Sequence, residues 1–451
     1  MTKLLFTALF LVTGLFAWAE TPLTVHQAVE EALNNNLGLK AADVATQIKK
    51  RDHDLAWNKF YPSVSVSGGY MRLNDVTASE RPIGIIPTSP PQLLWLVPSN
   101  DNILTSFKAQ FALSPAMFAA VDQTLIDYNN AKISLSEARQ NLSTEVKKLF
   151  YQLLVLQETI KVTEADLANA KERYRQAQVN YNAGLAPELT MLQSQVAYEN
   201  RKPALDNLQV NYQQVLFAFE NLLGRDSDPK LKLSGTLDVP SNLPTLNAQT
   251  LADKFIDRRW DLQAAEGHVK AADGYRNIAN GSLWPSLILS YSADPTLNGY
   301  FYSKWDQGSS WLQQTGSFTV LLNWQLDALI PTSQADNQRQ DASDAVKAAK
   351  LQLAELEQTA RSQVVTDVAR LNTAVVALSS QEANVAVAQK AYQLTDEAYK
   401  TGAKSFLEVQ DAELQYETAQ LNLLNEKDSY ITALLDLETA LNSTREEIYG
   451  K

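Results

Sequence analysis

Cysteine is absent from all 451 residues. No disulfide can staple this chain, no thiolate can serve as nucleophile or metal ligand, and no lipid can be carried on a cysteine behind a signal. Histidine is almost absent too, and His26, His53 and His268 show no metal-ligand spacing. There is no P-loop, no G-x-S-x-G, no dinucleotide fingerprint and no H-E-x-x-H, so no enzyme class and no cofactor is indicated. No apolar run approaches the ~20 residues of a membrane-spanning helix. A net charge of −12 disfavours nucleic acid and anionic lipid surfaces as partners.

What is present is written twice. Leu23–Pro62 returns without a gap at Leu246–Pro285: Asn36-Leu37-Gly38-Leu39-Lys40-Ala41-Ala42 lies over Arg259-Trp260-Asp261-Leu262-Gln263-Ala264-Ala265, and Tyr61-Pro62-Ser63 over Trp284-Pro285-Ser286. Tyr181-x-x-Gly184 returns as Tyr399-x-x-Gly402, followed by Tyr198-Glu199 and Tyr416-Glu417. A period of about 220 residues far exceeds a solenoid repeat and reads as a duplicated half-molecule. Pseudo-symmetry of that kind suits a pore or duct better than an enzyme cleft. Lys3, the apolar run Leu4–Phe16 and Ala17-Trp18-Ala19 make residues 1–19 a removable secretory signal. The organisation expected is a first repeat over 20–225, a linker or equatorial segment over 226–245, a second repeat over 246–442 and a tail over 443–451.

Between these landmarks the chain is nearly free of glycine and proline and rich in Ala, Leu, Gln, Glu and Lys, the composition of long helices. Ser114-Pro115 supplies a cap and a first-turn proline for the first of them. Val146, Leu153, Ile160, Leu167, Tyr174 and Tyr181 form a seven-residue ladder, matched by Val364, Leu371, Leu378, Val385, Tyr392 and Tyr399. Such a period makes helices pack along their whole length. After Gly184 and Gly402, which supply turns of positive φ, return helices are expected over Leu189–Leu223 and Ser405–Leu441. Pro203 is expected to kink or interrupt the first of these.

Strand patterning interrupts each half. Phe107, Ala109, Phe111 and Leu113 alternate with more polar residues, as do Phe318, Val320, Leu322, Trp324 and Leu326. Strands are expected near 63–75, 102–114, 286–302 and 311–326. So small a sheet is not self-sufficient. Several chains closing it into a barrel would display an apolar outer face, with Tyr70, Trp305, Trp311 and Trp324 at the interfaces; a small sheet capping a rod is the other solution. Residues 81–99, with five prolines, are expected to be a loop, and Asp294–Ser310 is its counterpart.

A signal, duplicated halves, long helices broken by paired strands, and the tips GLAPELTML (184–192) and GAKSFLEVQDAEL (402–414) together resemble the outer-membrane efflux protein family typified by TolC. The resemblance implies a mainly α fold with a small β part: duplicated long-helix hairpins forming a trimeric α-helical barrel, continued by a 12-stranded outer-membrane β-barrel with four strands per chain. It implies a homotrimer in contact with outer-membrane lipid and extending into the periplasm. A periplasmic adaptor (membrane fusion) protein and an inner-membrane transporter would dock at the tips, here Gly184, Leu185, Gly402 and Ala403, with Tyr181 and Tyr399 packing behind them. It further places the pore constriction at Glu408 and Asp411, whose first-repeat counterparts are Thr190 and Gln193. Like charges gathered around a three-fold axis would raise carboxyl pKa values. The family's tyrosine–aspartate lock would have Tyr399 but meets Thr190 in the aspartate's place. The function implied is a passive exit duct for tripartite efflux or type I secretion; a structural or adhesive coiled-coil envelope protein is the alternative.

Overall fold

The structure, a computed structural model, describes residues 22–75, 79–83, 92–96, 101–226, 228, 231–237, 239, 244–294, 296–298 and 316–449. The expected signal and the interfacial candidates Trp305 and Trp311 lie outside the described residues. The chain divides into two compact units that each draw on both repeats: one from residues up to Val44 with Ile133–Gln263 and Glu355–Lys451, the other from Ala45–Lys132 and Ala264–Ala354.

In the first unit, α1 (Val25–Asn35) starts at a capping box in which Thr24 and Gln27 satisfy each other's backbone amides. Its counterpart α5 (Ala248–Phe255) is capped by Asn247, whose side chain accepts from the Thr250 amide at 3.1 Å. Two helical hairpins follow the same plan. Helix α3 (Pro115–Asn182) returns as α4 (Glu188–Leu223), and α7 (Gln334–Lys400) returns as α8 (Phe406–Leu441). Helix α4 continues through Pro203 instead of breaking there. A proline inside a helix removes a single ladder bond, and the neighbouring Arg201 is anchored to α3 through Asp166, holding α4 to its partner helix at that level. Leu23 pairs with the equatorial segment, its amide donating to Lys232 O and its carbonyl accepting from Ser234 N, both at 2.8 Å.

Each hairpin buries its own core, and the two cores trade volume. In the first, Ala28 and Ala32 of α1 pack in the cluster of Val146, Phe150, Leu153, Leu216, Phe219 and Leu223. In the second, Leu251 and Phe255 of α5 pack with Val364, Val368, Leu371, Leu437 and Leu441. At aligned positions, Ala28 and Ala32 share a core with Phe150 and Phe219 in the first half, and Leu251 and Phe255 share one with Val368 and Leu437 in the second. Close packing demands that compensation, because one misplaced ring either leaves a void or overpacks.

In the second unit, α2 (Leu37–Asp54) and α6 (Trp260–Gly281) lead into the strands. An antiparallel sheet has the order β1 (Ser63–Arg72), β4 (Asp101–Leu113), β5 (Ser286–Ala293), β7 (Gly316–Asn323), with β6 (Thr296–Asn298) added beside the start of β4. Register puts Val66 opposite Phe107, Phe107 opposite Ala293, and Tyr291 opposite Phe318. One face therefore carries Val64, Val66, Tyr70, Phe107, Phe111, Leu289, Tyr291, Phe318 and Val320, and the other Ser63, Ser65, Ser67, Ser106, Ser290, Ser292, Ser317 and Thr319. The alternation ends sooner than its sequence pattern. Trp324 leaves β7 to donate its indole N–H to Leu283 O at 3.1 Å, and Leu326–Leu329 forms a 3₁₀ turn.

The proline-rich stretch, expected to be a loop, holds a separate two-stranded sheet of β2 (Ser79–Ile83) and β3 (Gln92–Leu96). Its proline is tolerated because a two-stranded ribbon has only edge strands, where an N–H can be dispensed with.

Candidate gate and docking tips

The two tips close identically. Gly184 donates to Tyr181 O at 2.9 Å and Leu185 to Asn180 O at 2.8 Å; Gly402 donates to Tyr399 O at 2.9 Å and Ala403 to Ala398 O at 2.8 Å. The glycines sit at φ +72° and +80°, the left-handed region that ends each helix. Behind them the repeated tyrosines stack in matching pairs, Tyr174 on Tyr198 and Tyr392 on Tyr416, with centroids 6.3 and 6.0 Å apart. Leu185 and Leu189 are 79% and 65% exposed at the first tip, and Leu407 is exposed at the second.

Past the turns the tips differ. Helix α4 begins behind Pro187, which offers no side-chain cap. Helix α8 begins with a full capping box, Ser405 and Glu408 satisfying each other's amides. Glu408 also takes Lys404 and the Ser405 hydroxyl, and these bonds hold its carboxyl down to about 2. Within one chain Glu408 is a capping carboxylate stabilised in its charged form. Asp411 stands exposed one turn further along the same helix.

Sequence reasoning missed a group that ties the hairpins together near the tips. Arg173 on α3 donates through Nη2 to Tyr392 OH on α7 at 2.9 Å and lies 3.3 Å from Glu413 Oε1 on α8. Beside it, Arg201 on α4 pairs with Asp166 on α3. Burial first, then the Asp166 carboxylate, raises the Glu417 pKa. Burial likewise raises Glu413, against the pull of Arg173. Three carboxyls face two guanidiniums, and burial favours the protonated forms of Glu413 and Glu417 while the arrangement stays closed. Breaking a buried pair of this kind leaves a charge stranded, at a cost of about 3–5 kcal/mol.

Tyr399 and Thr190 line one cavity of about 120 Å³ with Arg173, Asn180, Asp396 and Phe406. Tyr399 packs edge-on against Phe406, with centroids 6.3 Å apart. Where the lock of the family's pattern lacks its aspartate, the connection between hairpins is carried about three turns further from the tip, by Arg173. The signal was available: counted from the tip glycines, Asp166, Arg173 and Arg201 answer to Asn384, Ala391 and Ala419, and Glu413 answers to Gln195. Both guanidiniums sit in the first repeat and the extra carboxylate in the second.

Paired helical hairpins of this length, joined in sequence to a four-strand sheet with one apolar and one serine-rich face, define a subunit of an envelope channel. The outer membrane efflux protein family model matches residues 28–225 and 251–443, and the chain belongs to that family. It is similar to nodulation protein T of Rhizobium leguminosarum bv. viciae, 24% identical over 410 residues, covering 89% of this chain and 78% of that protein. A probable efflux pump outer membrane protein of Pseudomonas putida, TtgC, is 23% identical over 437 residues, covering 92% and 82%. The solved outer membrane protein VceC of Vibrio cholerae shares the fold at TM-score 0.68 and 18% identity, covering 93% of this chain and 96% of that one. The chain is thus an outer-membrane efflux duct reaching into the periplasm, a transport protein and not an enzyme, and the structural or adhesive coiled-coil reading is set aside. Membership carries with it a trimer that works with pump partners.

Proposed function

We infer that the chain is the passive exit duct of a tripartite assembly, docking through its tips to a periplasmic adaptor coupled to an inner-membrane transporter. The observation that carries this reading is the exposure of Leu185, Leu189 and Leu407 beside two rigid glycine turns, an apolar surface suited to a partner's helical hairpin. The gate lies behind them: Arg173 holds the two hairpins closed, and Glu408 with Asp411 rings the constriction, repeated in three copies. Ionised carboxylate rings of that kind favour cations.

Gly184→Glu or Gly402→Glu is expected to abolish export while the trimer still reaches the outer membrane. Each places a side chain in a backbone region costing roughly 1 kcal/mol and a charge on the docking surface. Export at the normal rate with the trimer in place would move docking elsewhere. For the constriction, replacing Glu408 and Asp411 together by alanine is expected to weaken cation selectivity in bilayer recordings, and unchanged selectivity would dissociate both from the pore.

A further inference from the structure

Among the described residues, the serine-rich face of the sheet contains one cation. Lys108 lies on β4 directly opposite Ser65 of β1 and Ser292 of β5, in the row of Ser106 and Gln110. The neighbouring residues Phe107 and Ala109 point to the apolar face, with Val66 and Tyr291. In an outer-membrane barrel the apolar face meets lipid and the polar face lines the lumen. Lys108 is exposed and forms no ion pair with a described residue. The nearest acid on that face, Asp294, is opposite Ser106 and is held to the wall by the Ser106 hydroxyl.

We propose that Lys108 makes this stretch of the barrel lumen a ring of three ammonium groups that attracts anionic solutes, so that the exit discriminates by charge. The proposal rests on the trimeric barrel reading. Twelve strands about 4.8 Å apart and tilted by about 40° close a circle of roughly 12 Å backbone radius. A lysine stem reaching about 6 Å inward leaves each ammonium about 6 Å from the axis, inside the ~8 Å Debye length of physiological salt. Three such charges enrich a monovalent anion on the axis roughly five-fold; Asp294, shorter and nearer the wall, reduces that to roughly two- to three-fold. A cargo carrying carboxylate or phosphate is therefore drawn through this stretch, and a cationic one is disfavoured.

The absence of cysteine permits a local test that the constriction at the tips does not limit. Ser65→Cys gives a single thiol facing Lys108 across the ladder, and Val66→Cys a single thiol on the opposite face. In detergent-solubilised trimers, an anionic methanethiosulfonate (ethylsulfonate) and a cationic one (ethyltrimethylammonium) would be added and the two modification rates measured. Ser65→Cys is expected to react far faster than Val66→Cys and to favour the anionic reagent. Adding Lys108→Gln should lower the anionic-to-cationic rate ratio by at least about five-fold, and Lys108→Arg should restore it. A ratio indifferent to Lys108→Gln overturns the ring with the barrel reading intact. Equal reactivity of the two thiols, or a monomer by native mass spectrometry, overturns both.

Discussion

The two halves of this chain are copies that have diverged where they must meet. Their tips share the same glycine turn, the same hydrogen bonds and the same stacked tyrosines. They differ in charge and in packing: the first contributes Arg173 and Arg201, the second Glu413 and a capped helix start at Ser405. Duplication followed by complementary charging gives a pair of hairpins that recognise each other and can also release.

The largest difference between the halves is expected in their cores. Phe150→Ala removes a ring from the half whose short helix buries Ala28 and Ala32 against it, and should cost about 3–5 kcal/mol. The aligned Val368→Ala, in the half filled by Leu251 and Phe255, should cost about 2 kcal/mol. Thermal melts of helical signal in the two variants compare them directly; equal losses would mean that the cores do not trade volume.

A smaller effect is expected from pH. Unfolded glutamates titrate near 4.3, and burial raises Glu413 and Glu417 above that in the closed arrangement. The folded cluster therefore binds protons that the open or unfolded chain releases. Its stability is fully present below about pH 4.3 and is lost as pH rises through the raised values. Glu408 has the opposite sign: held at about 2, its cap is intact above the ordinary glutamate value and fails only as pH falls toward 2. Closure should thus be firmest at mildly acidic pH, with channel conductance increasing as pH is taken from about 5 to 8. Glu417→Gln should flatten that rise, and an unaltered profile would remove Glu417 from the gate.

The sequence was a sufficient guide to whatever repeats. Helix period, tip glycines and strand alternation are local patterns, and doubling makes each visible twice. It was a poor guide where the answer lies in pairing between distant segments. Arg173 reads as one charge among many on a long helix until α7 and α8 are set beside it. Pro203 reads as a break until Arg201 is seen anchoring its helix. The strands at Ser79–Ile83 and Gln92–Leu96 were obscured by prolines that only edge strands accept. Glu408 was different, because Ser405-x-x-Glu408 is a capping box in plain sequence; counting its position from the tip assigned it to the pore and passed over its nearest partners.

Single-channel conductance of Arg173→Ala tests the account most directly. If Arg173 holds the hairpins closed through Tyr392 and Glu413, its loss leaves a buried carboxylate without its cation, and the tips should part, raising conductance well above that of the unaltered trimer. Tyr392→Phe, which removes the hydroxyl that accepts from Arg173, should reproduce part of that rise, and combining the two should add less than their sum. An Arg173→Ala trimer that assembles normally and conducts no better than the parent would contradict the account.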